Sequence, residues 1–102
     1  MLGKWFRGKG TGPRKLKHAT ARRLAEAFLS GWQPFKERFA HGGAMTLDWT
    51  EDSQGHGHWV ATVTPALDVR CVVVVADDTG EITEARLTLM RGGSVLAQWP
   101  QP

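Results

Sequence analysis

Lys4, Arg7, Lys9, Arg14, Lys15, Lys17, Arg22 and Arg23 all fall within the first 23 residues, and no acidic residue sits among them. They are eight of the 13 basic residues in the chain. The other 79 residues carry five bases and ten acids, so a segment of +8 is joined to a body of −5. Gly3, Gly8, Gly10, Gly12 and the pair Trp5-Phe6 are interleaved with the first of these cations. This mixture suits a phosphate backbone. Cations neutralise phosphates and release counterions, glycines let backbone approach closely, and an aromatic ring stacks on a base or wedges into a groove. Lys4, Trp5, Arg7, Lys9, Arg14, Lys15, Lys17 and Arg22 are therefore the expected binding residues. The expected partner is nucleic acid, bound with little sequence preference, or a nucleoprotein complex. An acidic protein surface fits the same charges, as in an accessory or inhibitor protein of phage or mobile-element type. Two blander outcomes are a solvated tail and an arm that docks on the acidic surface of its own chain. A membrane surface also attracts cations beside Trp, but this arm has no amphipathic stripe.

Other chemistry is sparser. His56-Gly57-His58, with Asp52 near it and His41 upstream, has the spacing of a metal-binding strand pair, but no third ligand is evident and an exposed loop is expected. Asp77-Asp78, Glu51-Asp52, Glu81 and Glu84 form the acidic clusters. Asp77 and Asp78 fit turn positions, where short carboxylates cap backbone groups. No Ser or Cys stands in a nucleophile motif, and Gly8-Lys9-Gly10-Thr11-Gly12 lacks the preceding strand of a phosphate loop. The expectation is a non-enzymatic protein without cofactor or metal. The alternative is a small-molecule-binding or enzymatic domain with a pocket between Trp32, Phe35 and a sheet.

These residues need elements to position them. Residues 1–12 form a basic arm without helical or strand periodicity, and 13–102 a single domain. Pro13 suits a first helical turn, and Leu16, Thr20, Leu24, Ala27, Phe28 and Gly31 repeat at helical spacing. Arg14, Lys15, His18 and Arg22 then share a different face, beside Ala21 and Ala25. Lys17 falls inside the apolar stripe, so either it snorkels to solvent or the packed helix begins nearer Thr20, which can serve as an N-cap. Pro34 predicts a kink or a split into two helices, and His41-Gly42-Gly43 a stop. A helix-turn-helix over Thr20–Arg38 competes with this, but Phe35 and Phe39 would have to serve the core from the recognition helix.

After Gly43 the period becomes two. Met45–Trp49, Trp59–Val63, Val69–Val75, Thr83–Leu89 and Val95–Trp99 read as strands, the third apolar enough for a central strand covered on both faces. Asp77-Asp78-Thr79-Gly80 and Gly92-Gly93 have hairpin chemistry. The predicted fold is α+β: a basic N-terminal arm, then one kinked or split helix packed on a curved antiparallel meander of about five strands. This layout is similar to that of cystatin-like and nuclear-transport-factor-like domains, a similarity of architecture without a shared motif.

Val60, Val72, Val74 and Leu96 fall on strand faces away from the helix, an apolar patch that makes a homodimer an expectation. A single cysteine, Cys71, excludes an internal disulfide and reads as a buried strand residue. No run of about 20 apolar residues is present and the N-terminus lacks the apolar stretch of a secretory signal, so a cytoplasmic location is expected.

Overall fold

The computed structural model describes residues 14–38 and 44–101. The arm residues Lys4, Trp5, Arg7 and Lys9, the predicted helix start at Pro13 and the stop at His41-Gly42-Gly43 lie outside the described residues.

The first helix, α1, runs His18–Gly31. It begins neither at Pro13 nor at Thr20. Lys17 is the N-cap, extended at ψ 153°, and its side chain makes no capping hydrogen bond. Lys17 therefore precedes the helix and has no place in the apolar stripe. That stripe is also rotated from the predicted one. Ala21, Ala25 and Leu29, four residues apart, are the buried positions, while Ala27 and Gly31 are exposed. Leu24 and Phe28 flank the buried line and pack against the core from its edge. The cause is size. Alanines bring the helix axis close to the sheet, whereas larger side chains pack better along the margins.

Continuing α1 would drive the Pro34 ring into the Ser30 carbonyl, and the helix stops at Gly31. Trp32 is extended at φ −85°, ψ 110°. Its carbonyl accepts hydrogen bonds from the N–H groups of Phe35 (3.0 Å) and Lys36 (2.9 Å), starting the second helix, α2 (Gln33–Arg38). In this first turn Pro34 wastes no donor. The predicted split is thus what forms. α2 has only six residues and commits Phe35, 7% exposed, to the core. It is not a free recognition helix.

Five strands follow: β1 (Met45–Glu51), β2 (Gly57–Ala66), β3 (Val69–Ala76), β4 (Ile82–Leu89) and β5 (Val95–Trp99). They form one antiparallel sheet in the order β1-β2-β3-β4-β5. The sheet is not closed, so the fold is α+β with free edges at β1 and β5. Gly80 (φ 76°) and the pair Gly92 (φ 84°) and Gly93 (φ 71°) take the left-handed conformations that the hairpin chemistry demanded.

α1 lies over β2, β3 and β4. Trp59, Ala61, Val63, Cys71, Val73, Val75, Ala85 and Leu87 face it and form the core with Ala21, Ala25, Leu29, Trp32 and Phe35. Burial pushes the Cys71 thiol up to about 12, which keeps it protonated and inert. β3 is central in order, yet among the described residues nothing covers its second face. Val60, Val72 and Val74 are half-buried there, with Val60 opposite Val74. Leu96, expected with them, sits at the irregularity of the β4–β5 pairing and is 37% exposed.

Candidate nucleic-acid interface

Of the eight expected binding residues, Arg14, Lys15, Lys17 and Arg22 are described, and they do not share one helix face. Arg14 and Lys15 precede α1 in a segment docked onto the body. The Lys15 N–H donates to Asp77 Oδ2 at 2.6 Å and the Leu16 N–H to Asp77 Oδ1 at 2.9 Å. Asp77 lies at the start of the β3–β4 turn, is 2% exposed, and also accepts the Trp59 indole N–H at 3.1 Å. One buried carboxylate thus ties the lead-in of α1 to β2 and β3. It also supplies negative charge close to the positive end of a helix that has no acidic residue in its first turn.

The side chains of this lead-in are placed as well. The Arg14 guanidinium stands over two indoles, 5.2 Å from the Trp49 ring centre and 5.5 Å from that of Trp59. The indoles meet edge to face, 5.4 Å apart at 73°. His18 closes on Trp59 from the helix, 5.7 Å away at 87°. Gly57 makes the arrangement possible, because a Cβ there would collide with the six-membered ring of Trp49. The Trp49 indole N–H is buried without an acceptor among the described residues. The Lys15 Nζ reaches Asp78 Oδ1 at 2.9 Å, with the two side chains 67% and 50% exposed. The hydrogen bond and charge of Asp78 raise the Lys15 pKa, and those of Lys15 lower the Asp78 pKa.

Beyond this docked root, Lys17 at the N-cap and Arg22 and Arg23 on the helix are all exposed. Arg22 Nε donates to Glu26 Oε2 at 3.2 Å, one turn on. Lys17 and Arg23 make no ion pair among the described residues. Sequence reasoning set Arg14, Lys15, His18 and Arg22 side by side. The structure divides them into an anchored pair, a histidine against Trp59, and an exposed arginine. The residues it missed are Asp77, Trp49 and Trp59 as the receptor of the arm root.

The remaining candidates lie elsewhere. Asp52 closes the β1–β2 turn, its Oδ1 accepting the N–H groups of Gln54 and His56, each at 2.9 Å. These bonds, that of His56 first, hold its carboxyl below the usual range. His56 Nδ1 stands 3.5 Å from Asp52 Oδ2, and His58 is in β2 opposite Thr50 and Ala76. No group of three or more His, Cys, Asp or Glu is placed to hold a metal among the described residues. Trp32 and Phe35 are packed into the core rather than lining a helix–sheet pocket. A groove of about 680 Å³ lies instead beside α2 and the free edge of β5, lined by Gln33, Pro34, Glu37, Leu96 and Gln98 among others. Among the described residues no helix is long and apolar enough to cross a membrane.

No family model matches the chain, and neither any curated protein nor any solved structure does.

Proposed function

We propose that this protein binds nucleic acid, or a nucleoprotein complex, through its basic N-terminal arm and the exposed cations at the start of α1. Binding is non-enzymatic, phosphate-dominated and largely independent of sequence, in a cytoplasmic setting. Lys4, Arg7 and Lys9 contact phosphates and Trp5 stacks or wedges. Lys17, Arg22 and Arg23 extend the contact along the helix, and Arg14 and Lys15 anchor the arm. The observation that carries the reading is the docked root at Asp77. It holds the backbone of Lys15 and Leu16 against the body immediately before the exposed Lys17, and in sequence the arm's Lys4, Arg7 and Lys9 precede this root. Holding Lys15 and Leu16 in place before binding cuts the entropy lost when the neighbouring cations engage a partner.

The test is a titration of labelled duplex and single strand at several salt concentrations. Log affinity should fall with log salt by about 0.9 for each phosphate contact on a duplex. Removing residues 1–12 should weaken binding and flatten that slope. Unchanged affinity and slope after the deletion refute the proposal.

The alternative reading is an acidic protein partner. It draws on the same contacts, since Arg14 and Lys15 already engage indole faces and carboxylates of their own body. A discrete protein retained from nuclease-treated lysate by full-length chain, and lost with residues 1–12, would favour it. A homodimer through the outer sheet face is proposed on Val60, Val72 and Val74, and light scattering showing a monomer at high concentration removes it.

A further inference from the structure

Asp77 and Asp78 are neighbours that hold different parts of the same residue. Asp77 is buried and binds the Lys15 backbone N–H, while Asp78 is half exposed and binds the Lys15 side-chain ammonium. We propose that Asp78 is a built-in competitor of the polyanion: a phosphate takes the Lys15 ammonium from it while Asp77 keeps the backbone docked. This rests on the nucleic-acid reading above and adds how the arm root enters the contact.

The two acids differ in what release requires. Freeing the backbone would strip Asp77 of two N–H donors in a site closed to water, which is costly. Freeing the ammonium requires only rotation of a long, solvated side chain away from an exposed partner, and such surface pairs are weak and exchange readily. A phosphate backbone offers a dense row of anions to replace the one it displaces. Lys15 lies one position from Arg14 and two from Lys17, so the freed ammonium falls between the arm and the exposed cations of α1. In the free protein Asp78 neutralises the charge that would otherwise bridge those two groups. The exchange also lowers affinity for single, weakly charged anions, because only a ligand with many phosphates recovers the lost pair through its other contacts.

The experiment compares binding of a labelled duplex by full-length wild type, Asp78→Asn, Lys15→Gln and the double variant across a salt series. Asp48→Asn, an exposed acid on the outer face of β1, serves as the charge control. Asp78→Asn should bind about two- to fivefold more tightly, the span expected for loss of one exposed pair. Its salt slope should stay close to that of wild type, because the same Lys15–phosphate contact forms in both, whereas Lys15→Gln should flatten the slope by about 0.9. In the Lys15→Gln background the Asp78→Asn gain should vanish. Melting temperatures of all variants should stay near wild type, since the Asp77 contacts are intact. A gain that survives without Lys15, a gain matched by Asp48→Asn, or no gain at all overturns the competition while leaving the nucleic-acid reading in place. Duplex binding unaffected by removal of residues 1–12, or absent from wild type, overturns both.

Discussion

Asp77 caps Lys15 from 62 positions further along the chain: its Oδ2 accepts the Lys15 N–H at 2.6 Å, doing for the lead-in of α1 what an N-cap side chain does for a helix. The same carboxylate accepts the Leu16 N–H and the Trp59 indole N–H. Three donors converge on one buried group, so removing it leaves all three unsatisfied. Asp77→Ala should destabilise the fold by about 3 kcal/mol or more, and Asp77→Asn by less, since one amide oxygen still accepts. Urea unfolding of both measures the difference. If Asp77→Ala unfolds at the wild-type midpoint, the docked root is not part of the folded state.

The Trp49–Trp59 pair offers an internally controlled comparison. Trp59 is 4% exposed and donates to Asp77, whereas the Trp49 N–H is buried without an acceptor among the described residues. Replacing an indole by a phenyl ring removes a satisfied donor in one case and an unsatisfied one in the other. Trp59→Phe should cost about 1–3 kcal/mol, and Trp49→Phe clearly less, because losing the orphaned N–H offsets part of the lost packing. Both substitutions trim the aromatic surface under Arg14, so that contribution largely cancels. Equal costs would show that Asp77 does not depend on the indole.

The strands and hairpins were legible because their signals are local: period-two alternation and glycines at the turns. The helix stripe was misplaced because periodicity was weighed by large side chains, and Ala21 and Ala25 carry little weight in that count although they are the α1 residues at 0% exposure. Substitution separates the two stripes. Ala25→Leu should overpack the helix–sheet contact and cost about 1–3 kcal/mol, while Ala27→Leu, on the exposed side, should be close to neutral. Thermal melts of the two variants decide between them. The arm root was illegible for another reason: its partners are distant in sequence and no local pattern couples them. One clue was present. Val69, Cys71, Val73 and Val75 alternate inward, and Asp77 continues that alternation by two. An acid on the inward register of a core strand must find donors.

Gly57 is a second point where small size is required. Its Cα lies against the Trp49 ring, and its carbonyl accepts the Asp77 N–H at 3.0 Å. Gly57→Ala should force the indole aside and disturb both the Arg14 stack and the turn that carries Asp77. The expected cost is about 1–3 kcal/mol, typical of overpacking. Near-ultraviolet circular dichroism, which senses the coupled indoles, should change with it. An unchanged spectrum together with unchanged stability would contradict the packing.

The Lys15–Asp78 pair sets a pH window. Lys15 is raised from 10.5, so its contribution is fully present below that value and lost as pH climbs through the higher folded-state pKa. Asp78 is lowered from 3.8, so its contribution is present above that value and lost as pH falls through the lower folded-state pKa. Between these limits both groups stay charged and the pair is constant. The effect of Asp78→Asn on duplex affinity should therefore be the same from about pH 5 to pH 9, well inside both titrations. As pH falls through the lowered Asp78 pKa, wild type and variant should converge, because Asp78 takes up its proton. Binding isotherms of the two proteins at each pH read this directly. A difference that changes through neutral pH would assign the competition to a group other than this pair.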